Sequence, residues 1–385
     1  MKRIKDLLRK KTRLVIGLVS GTSADGIDSA LVRIRGHGLQ TEVEVLEFAT
    51  SPYSEQQRDA VLRLSDGSTA DICRMNFVLG ERFAEAALAL LRKAGVDSAH
   101  VDLIGSHGQT IYHVPRRQGD VASTLQIGEA DVIAERTETS VVSDFRTRDI
   151  AVGGEGAPLS AYVDYLLFHR EGPPRAFLNL GGIANVTVVT RDIEEVFAFD
   201  TGPANMPLDE AMRIMTQGRE HFDRGGHNAA KGRIDENLLG KLLGHPYLNL
   251  PIPKTTGRET FGRDFVFPLL QAKGNNRAVD ILATLTAFSA QCVHRGFEEF
   301  VMPRAQPTEI VVSGGGVHNL ALMTHLRRLF PRIAVMPLED VGFDSDAKEA
   351  VLFAVLANES LNGVPNNLPG ATGARWPVVL GKFSP

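Results

Sequence analysis

The chain has 385 residues, of which 42 are Lys or Arg and 46 are Asp or Glu, giving a formal net charge of −4. This near balance argues against a general nucleic-acid binder, and 43% hydrophobic with 23% charged residues is typical of a soluble globular protein. No run approaches the ~18 apolar residues of a membrane span, and the early run Leu14–Val19 is too short for the core of a secretory signal. Cys73 and Cys292 form no Cys-x-x-Cys pair, so we expect reduced thiols in a cytoplasmic protein without membrane or nucleic-acid partners.

The first half of the chain is predicted to alternate between strands and helices. Apolar spacing predicts strands at Leu14–Val19, Ile27–Ile34, Glu42–Ser51, Leu103–Ser106 and Ser140–Asp144, and helices at Glu55–Leu64, Asp71–Ala94 and Asp131–Glu138. The flexible run Gly153–Gly156 then precedes a helix whose first turn we expect at Pro158. A domain boundary is predicted in this region, with domains at 1–145 and 146–373 and a terminal strand near 374–385 returning to the first domain.

The second half repeats the order strand, glycine turn, strand. The predicted elements are a hairpin over Arg175–Val189, strands at Glu195–Asp200, Glu309–Ser313 and Val378–Leu380, a largely helical region over 204–300, and helices from Asn319 and over Ala347–Leu356. Two such halves predict a duplicated α/β unit with a cleft between the copies.

The turn between the first two strands is a candidate phosphate-binding loop. It comprises Gly21, Thr22, Ser23, Ala24, Asp25, Gly26, Ile27 and Asp28. Its backbone N–H groups and hydroxyls suit phosphate oxygens. Bare carboxylates at Asp25 and Asp28 would repel a phosphate, so the loop predicts a phosphate neutralised by a divalent ion. An ordinary hairpin turn is the alternative interpretation.

Two more glycine turns could serve the same nucleotide. Gly181-Gly182 could hold a triphosphate from the side opposite the first turn, and Gly314-Gly315-Gly316 follows a buried strand, where adenine or ribose could lie against backbone. For Gly314–Gly316, a tight strand–helix turn is the alternative interpretation. The sequence has no Gly-x-x-x-x-Gly-Lys-Ser/Thr, Gly-x-Gly-x-x-Gly or Gly-x-Ser-x-Gly motif, which disfavours P-loop, dinucleotide-binding and serine hydrolase classes.

Asp200 is the predicted catalytic acid–base residue. It ends a predicted strand and begins Asp-Thr-Gly-Pro-Ala-Asn. A carboxylate at a strand end can take a proton from water or a hydroxyl, and phosphoryl transfer needs little beyond positioning, charge neutralisation and such a base. The alternative is that Asp200 caps its own turn through Thr201 and Gly202.

Polar residues at three other places are candidates for substrate binding. His107, Gln109 and Thr110 follow a strand, carry many hydrogen-bonding groups and suit a polyhydroxylated ligand. Arg146 suits carboxylate or phosphate oxygens, with a structural salt bridge as the alternative. Glu349 opens the last apolar helix, where a solvated acid favoured by the helix dipole is the alternative. His107 and His113 could in principle share a metal, but the histidines lack ligand spacing, and the metal ligands remain unknown.

Seven motifs in order resemble the anhydro-N-acetylmuramic acid kinases. They are Gly-Thr-Ser-Ala-Asp-Gly-Ile-Asp (21–28), Gly-Ser-His-Gly-Gln-Thr (105–110), Asp-Phe-Arg (144–146), Gly-Gly-Glu-Gly-Ala-Pro-Leu (153–159), Asn-Leu-Gly-Gly-Ile-Ala-Asn (179–185), Asp-Thr-Gly-Pro-Ala-Asn (200–205) and Ser-Gly-Gly-Gly-Val-His-Asn (313–319). The resemblance implies the two-lobed actin/sugar kinase/Hsp70-like fold with ATP and Mg²⁺ in the cleft. It also implies conversion of 1,6-anhydro-N-acetylmuramic acid to N-acetylmuramic acid 6-phosphate during peptidoglycan recycling, by a homodimer.

Roles are carried over by motif. The resemblance implies that residues 21–28 bind ATP phosphates and that Asp200 activates water. Asn185 and Asn319, beside the two other glycine turns, are further candidates for the nucleotide site. Thr110, Arg136 and Glu349 would contact the sugar. The motif at 200–205 departs from the family at Ala204, where Gly is usual and a methyl group restricts the backbone. A levoglucosan-type kinase and a non-catalytic nucleotide or sugar sensor remain alternative functions.

Overall fold

The computed structural model describes residues 2–114, 121–273 and 277–385. Its chain divides into two compact units, one made of Met1–Phe168 with Asp346–Pro385 and the other of His169–Ser345. Residues 146–168 and 346–373, which the sequence analysis assigns to the second domain, thus belong to the first unit. The helix at Lys348–Leu361 packs on the first sheet, and the helix at Ser160–Phe168 contacts that helix and the strand Glu42–Pro52. These contacts join distant parts of the chain, so local composition does not reveal them.

The elements are as follows in chain order. The strands are β1 (Thr12–Ser20), β2 (Gly26–Arg35), β3 (Glu42–Pro52), β4 (Leu103–Val114), β5 (Ser123–Ile127), β6 (Val141–Ser143), β7 (Arg175–Leu180), β8 (Ile183–Val189), β9 (Phe197–Pro203), β10 (Glu309–Ser313), β11 (Ala334–Pro337) and β12 (Lys382–Ser384). The α-helices are α1 (Lys2–Arg9), α2 (Glu55–Leu62), α3 (Thr69–Ala94), α4 (Ala130–Thr137), α5 (Thr147–Ala151), α6 (Ser160–Phe168), α7 (Met206–Met215), α8 (Glu236–Leu243), α9 (Arg258–Phe261), α10 (Arg263–Lys273), α11 (Ala278–Gly296), α12 (Leu320–Leu329), α13 (Lys348–Leu361) and α14 (Pro369–Thr372).

The sheet of the first unit has the strand order β3-β2-β1-β4-β6-β12, with β5 also paired to β4. β1 is antiparallel to β2 and parallel to β4, and β4 is parallel to β6. The terminal strand β12 runs antiparallel to β6, so the end of the described chain returns to the first sheet. The apolar side of α3 covers one face through Leu79, Phe83 and Leu90, which lie in the core.

The sheet of the second unit repeats this arrangement, with the strand order β9-β8-β7-β10-β11. Here too the first three strands form an antiparallel meander, β7–β8–β9, and the first strand of the meander is parallel to β10, which is parallel to β11. The same order and directions in both units confirm the predicted duplication. This mixed five-strand pattern, present twice, is the sheet pattern of the actin/sugar kinase/Hsp70-like class.

Helix α13 covers the other face of the first sheet, and its backbone approaches the strand backbones closely. A side-chain Cβ built on Gly17 of β1 would lie 1.7 Å from the Ala350 carbonyl oxygen, and one built on Gly105 of β4 would lie 2.1 Å from the Phe353 carbonyl oxygen. Glycine is therefore required at both positions for the helix to rest on the strands. The central strands are apolar and buried on both faces, as parallel strands covered by helices usually are.

Several predicted boundaries are wrong. The helix expected to start at Pro158 begins two residues later, at Ser160. The strand predicted at Val378–Leu380 lies instead at Lys382–Ser384. Strands β5 and β11 are missing from the predictions, since both are short and lie at sheet edges. In the described part of the chain, no helix is long and apolar enough to cross a membrane.

Candidate active site

The turn after β1 presents small polar groups to solvent. Its backbone closes through a hydrogen bond of 3.1 Å from the Ala24 N–H to the Gly21 carbonyl. Thr22, Ser23 and Asp25 are exposed, whereas Ala24 is fully buried at a left-handed φ of +50°. That conformation costs a non-glycine residue roughly 1–2 kcal/mol, so the surrounding packing holds the turn in this shape.

Gln109 holds this turn in place from the neighbouring strand. Its side-chain carbonyl accepts a hydrogen bond of 2.6 Å from the Ser20 hydroxyl, and its side-chain amide donates to the Gly21 carbonyl over 3.1 Å. Gln109 is buried, with 1% of its surface exposed. The structure therefore gives Gln109 a role in positioning the turn, where the sequence suggested direct contact with a ligand. The Gly26 carbonyl oxygen lies 2.9 Å from the same Ser20 hydroxyl and shares its single proton with Gln109.

Two residues beyond the turn brace its other side. The Arg58 guanidinium donates to the Ser23 carbonyl over 3.2 Å and forms an ion pair of 3.0 Å with Asp25. The Tyr53 N–H donates to the Asp25 carbonyl over 2.9 Å. Sequence reasoning missed both residues, because neither Arg58 nor Tyr53 belongs to a recognisable motif. Ile27, at the start of β2, points into the hydrophobic core and can serve a ligand only through its backbone.

Carboxylates gather next to the turn. Asp28 accepts a hydrogen bond of 2.6 Å from Thr50, and its pKa is raised above the ordinary value by burial first and by Asp346 and Asp25 in addition. The Glu349 pKa is also raised, chiefly because surrounding protein desolvates the carboxylate and because Asp28 repels it. Arg146 and Lys348 oppose the increase in the pKa of Glu349.

His107 and Arg146 form a hydrogen-bonded pair in the first unit. The Arg146 Nε–H donates to His107 Nε2 over 3.0 Å, and Arg146 Nη1 donates to the Gly156 carbonyl over 2.7 Å. The His107 ring lies against Phe353, with 4.5 Å between ring centroids. Burial lowers the pKa of His107 well below its usual value, with Arg146 adding to the effect. Burial also lowers the pKa of Arg146 to about 10, against the opposing influence of Glu349, so Arg146 stays charged at neutral pH.

Thr110 and Arg136 have different surroundings. The Thr110 hydroxyl accepts a hydrogen bond of 3.2 Å from Gln126 on β5 and remains half-buried. Arg136, in the last turn of α4, forms a two-pronged ion pair with Glu81 of α3, at 2.9 and 2.7 Å. Arg136 is thus bound to a neighbouring helix, whereas His107 and Gln109 lie within β4 and Arg146 directly precedes α5.

Asp200 lies within β9, not at the end of a strand as predicted, because β9 continues to Pro203. Its Oδ2 accepts a hydrogen bond of 3.0 Å from the Thr256 N–H. Its main chain is held on both sides: its N–H donates to the Lys254 carbonyl over 3.0 Å, and its carbonyl accepts from the Tyr247 hydroxyl over 2.7 Å. These bonds to a segment fifty residues away exclude the alternative in which Asp200 merely caps its own turn.

The environment of Asp200 gives its carboxyl an unusual pKa. Burial raises the pKa to about 7, with a smaller contribution from Glu259, while the Thr256 N–H and the charge of Lys254 oppose the increase. A carboxyl poised near neutral pH can gain and lose a proton under ordinary conditions, as a general base requires. Thr256 also has a buried hydroxyl for which the described residues provide no hydrogen-bond partner.

The Gly181-Gly182 turn is joined to the segment after β9. The Ala204 and Met206 N–H groups both donate to the Gly182 carbonyl, over 2.9 and 3.0 Å. The Asn205 N–H donates to the Gly181 carbonyl over 3.0 Å. Ala204 is fully buried and does not have a positive φ, so the methyl group that departs from the family pattern needs no special backbone conformation. Asn185 faces Asp200 across β8 and β9, as its partner in the pairing register.

The third turn is shaped by close packing. Gly314 has a φ of +81°, and a Cβ there would lie 2.5 Å from the side-chain oxygen of Asn179. A Cβ on Gly316 would lie 2.4 Å from the Leu180 Cβ, whereas one on Gly315 would meet nothing within 4 Å. Asn319 caps α12 by accepting a hydrogen bond of 3.1 Å from the Leu322 N–H. Of the three glycines, only Gly315 therefore has open space above its Cα.

Gly226 is a residue of this neighbourhood that sequence reasoning missed. It has a φ of +71°, and a Cβ there would lie 2.3 Å from the Asn319 side-chain oxygen. Asp223 fixes the loop that carries it, since its carboxylate accepts from the Asn228 and Ala229 N–H groups over 2.9 and 2.8 Å. The glycine pair at 225–226 was the available signal, but many surface turns contain such pairs.

Fold and site together define a class of protein. Two units with the same mixed sheet carry glycine turns directly after their first strands, and the second unit holds a carboxyl with a pKa near neutrality. These features define an actin-like α/β protein whose turns and carboxyl are compatible with phosphoryl transfer.

Comparison with known proteins identifies the family within this class. The family model described as anhydro-N-acetylmuramic acid kinase matches residues 13–385. A protein of that name from Caldanaerobacter subterraneus is 48% identical over all of both chains, and one from Clostridioides difficile is 41% identical over 96% of this chain and 98% of its own. A ROK family glucokinase from Streptomyces griseus, solved with glucose and AMPPNP, aligns at 12% identity with a TM-score of 0.41, covering 90% of this chain and 99% of its own. The chain belongs to the anhydro-N-acetylmuramic acid kinase family.

Proposed function

We propose that this protein uses ATP to open the 1,6-anhydro ring of 1,6-anhydro-N-acetylmuramic acid and to phosphorylate O6. The product is N-acetylmuramic acid 6-phosphate, which returns a cell-wall sugar to metabolism. The family membership supports the reaction, and the observation that carries the mechanism is the partly buried Asp200 carboxyl held by the Thr256 N–H, in surroundings that raise its pKa to about 7. A base of this strength is charged often enough to act and basic enough to accept a proton from water.

The bonds change as follows in this proposal. Asp200 removes a proton from a water molecule as the water oxygen attacks the anomeric carbon of the sugar. The bond from the anomeric carbon to O6 breaks, and O6 takes the terminal phosphoryl group as the bond to ADP breaks. Thr256 holds the carboxylate in position through its N–H, and Tyr247 fixes the backbone of the same residue.

The turn at 21–25 is the proposed site for the ATP phosphates. Gln109, Ser20 and Arg58 keep this turn in shape, while the exposed hydroxyls of Thr22 and Ser23 can donate to phosphate oxygens. We assign the adenosine part to the Gly314–Gly316 turn, where Gly315 leaves space for a flat group.

Mg²⁺ fits the carboxylates beside this turn. Burial raises the pKa of Asp28, and repulsion from Asp346 and Asp25 adds to the increase; a divalent cation bound nearby would relieve that repulsion. In the described segments, no group of three or more His, Cys, Asp or Glu side chains is arranged to hold a metal ion. Asp25 and Asp28 would therefore share the ion with phosphate oxygens and water, which is how Mg²⁺ is usually held in ATP-dependent enzymes. The bound ion would neutralise charge on the phosphates.

An oxygen-18 experiment tests the reaction. The protein is incubated with ATP, MgCl₂ and the anhydro sugar in H₂¹⁸O, and the product is analysed by mass spectrometry and ¹³C NMR. The label is expected on C1 of the phosphorylated sugar, because water attacks the anomeric carbon. ADP release that does not depend on the sugar, or label found on phosphate, contradicts the proposal.

Competition between sugars separates this function from its alternatives. A levoglucosan-type kinase would turn over levoglucosan faster than the N-acetylmuramic acid derivative, and a sensor would bind ATP and sugar without forming product. The family assignment favours the N-acetylmuramic acid derivative. We further propose that the protein acts in the cytoplasm. We also propose that it is a homodimer, and analytical ultracentrifugation tests this oligomeric state directly.

A further inference from the structure

His107 has both ring nitrogens engaged in hydrogen bonds, although the sequence suggested that it contacts substrate. Nε2 accepts from the Arg146 Nε–H over 3.0 Å, and Nδ1 lies 3.0 Å from the Gly108 carbonyl oxygen. Because an arginine can only donate, Nε2 must be unprotonated. The proton of the neutral ring is then on Nδ1, from which it is donated to Gly108. The geometry alone therefore assigns one tautomer.

The local backbone is built to produce this arrangement. The register between β1 and β4 shifts from Leu18 opposite Ser106 to Ser20 opposite Gln109, so β4 has one extra residue at His107–Gly108. Gly108 adopts a φ of +74°, and a Cβ there would lie 2.6 Å from the Ile127 carbonyl oxygen. Bulges of this kind often redirect a side chain beside an active site. Here the bulge brings the Gly108 carbonyl within hydrogen-bonding distance of Nδ1 of His107, the preceding residue.

Arg146 is fixed at two of its five N–H groups. His107 accepts from Nε, and the Gly156 carbonyl accepts from Nη1 over 2.7 Å. Gly156 is itself fixed, because its N–H donates over 2.8 Å to the fully buried carboxylate of Asp149. A guanidinium is planar, so two fixed donors determine the direction of the remaining ones. Glu349 interacts with the same guanidinium electrostatically.

We propose that His107 is a positioning residue for the sugar site. It orients the Arg146 guanidinium through Nε2, so that the remaining N–H groups of Arg146 point toward an oxygen-bearing group of the sugar. This inference rests on the proposed function, since it requires a sugar at Arg146. His107 itself touches neither substrate nor nucleotide and acts only through the arginine.

A pair of amide variants isolates the Nε2 atom. In His107→Gln the side-chain oxygen can reach the position of Nε2 and accept from Arg146, whereas in His107→Asn the shorter side chain reaches only the position of Nδ1. Both variants lose the ring that packs on Phe353, so each serves as the folding control for the other. The measured quantities are KM for the anhydro sugar, KM for ATP, kcat and the melting temperature.

The expected result is a selective loss of sugar affinity. Because a hydrogen bond to a charged group contributes about 1.5–3 kcal/mol, we expect His107→Asn to raise the sugar KM by about ten- to a hundredfold with KM for ATP unchanged. His107→Gln should stay within about threefold of the parent protein. In an Arg146→Ala background, His107→Asn should have no further effect. Equal losses in the two amide variants, or an undiminished loss without Arg146, overturn the proposal.

A spectroscopic measurement separates this inference from the proposed function. The imidazole ¹⁵N spectrum of the full-length protein should show His107 as the neutral Nδ1–H tautomer at pH 6.5, with Nε2 unprotonated. A charged ring or an Nε2–H tautomer overturns the inference even if the enzyme is active. If the protein binds no anhydro sugar, the proposed function fails and the sugar-site role of His107 fails with it, while the spectrum still decides whether His107 accepts from Arg146.

Discussion

The pH dependence of the reaction follows from the pKa of Asp200. With a pKa of about 7, roughly one tenth of the carboxyl is ionised at pH 6, one half at pH 7 and nine tenths at pH 8. Only the ionised form can take a proton from water, so kcat/KM should rise about tenfold between pH 6 and pH 8. A carboxyl with the ordinary aspartate pKa of 3.8 would be ionised throughout this range, and the rate would stay constant.

The assay must distinguish the titration of Asp200 from that of ATP, because the terminal phosphate of ATP titrates near pH 6 as well. Initial rates are therefore measured with saturating MgCl₂ at limiting sugar, for the parent protein and for two variants that change only the surroundings of Asp200. Glu259→Gln removes a charge that raises the Asp200 pKa, so the rising limb should move to lower pH. Lys254→Met removes a charge that lowers it, so the limb should move to higher pH.

The two variants leave the titration of ATP unchanged, so opposite shifts can come only from a protein group near both side chains. Glu259 is exposed, which makes its substitution a mild one, whereas Lys254 is buried and donates to the Leu248 carbonyl. The melting temperature of each variant is recorded for that reason. A flat profile between pH 6 and 8, or a limb that stays at the same pH in both folded variants, refutes the reasoning.

Further expectations concern Asp200, two glycines and one amide. Asp200→Asn should keep the ATP affinity measured by calorimetry and lose turnover by several orders of magnitude; unchanged turnover removes Asp200 from the mechanism. The pKa of Asp200 is raised in the folded protein, so its ionisation lowers stability as the pH rises toward 7, by at most about 4 kcal/mol. In urea unfolding, the stability advantage of Asp200→Asn should accordingly be larger at pH 8 than at pH 5, and an equal difference at both pH values contradicts the assigned pKa. Gly314→Ala should destabilise the protein by roughly 1–3 kcal/mol because of its φ of +81° and the contact with Asn179. Gly315→Ala should leave stability unchanged and weaken ATP binding, since a Cβ there meets nothing within 4 Å. A larger loss of stability in Gly315→Ala than in Gly314→Ala argues against the assigned geometry. Gln109→Leu should raise KM for ATP, because the turn loses the amide that holds it, and an unaltered KM would separate this amide from the nucleotide site.

Local patterns predicted most of the elements near the turns. The apolar runs of β1 and β2 and the small residues between them suffice, because a hairpin and its turn are determined by neighbours in the chain. The prediction for β4 stopped too early, at Ser106. The strand continues to Val114 because Gly108 accommodates a bulge and β5 pairs with the remainder. Neither the bulge nor the partner strand is visible in the local sequence.

The burial and the long-range hydrogen bonds of the candidate residues could not be predicted from the sequence. The pKa of Asp200 depends on the segment that contains Tyr247 and Thr256, about fifty positions further along the chain. The pair of His107 and Arg146 is likewise separated by 39 positions. Motifs identify which residue types are present, but burial and long-range hydrogen bonds determine whether each one meets a ligand or supports a neighbour.

The discontinuous first unit has a consequence for biosynthesis. The ribosome releases residues 169–345, a complete unit, before it makes α13 and β12. Until then Gly17 and Gly105 lie on a sheet face that lacks its helix, and that apolar face is open to chaperones or to other nascent chains. The second unit can therefore finish folding before the first unit, whose synthesis begins earlier but which still lacks α13 and β12.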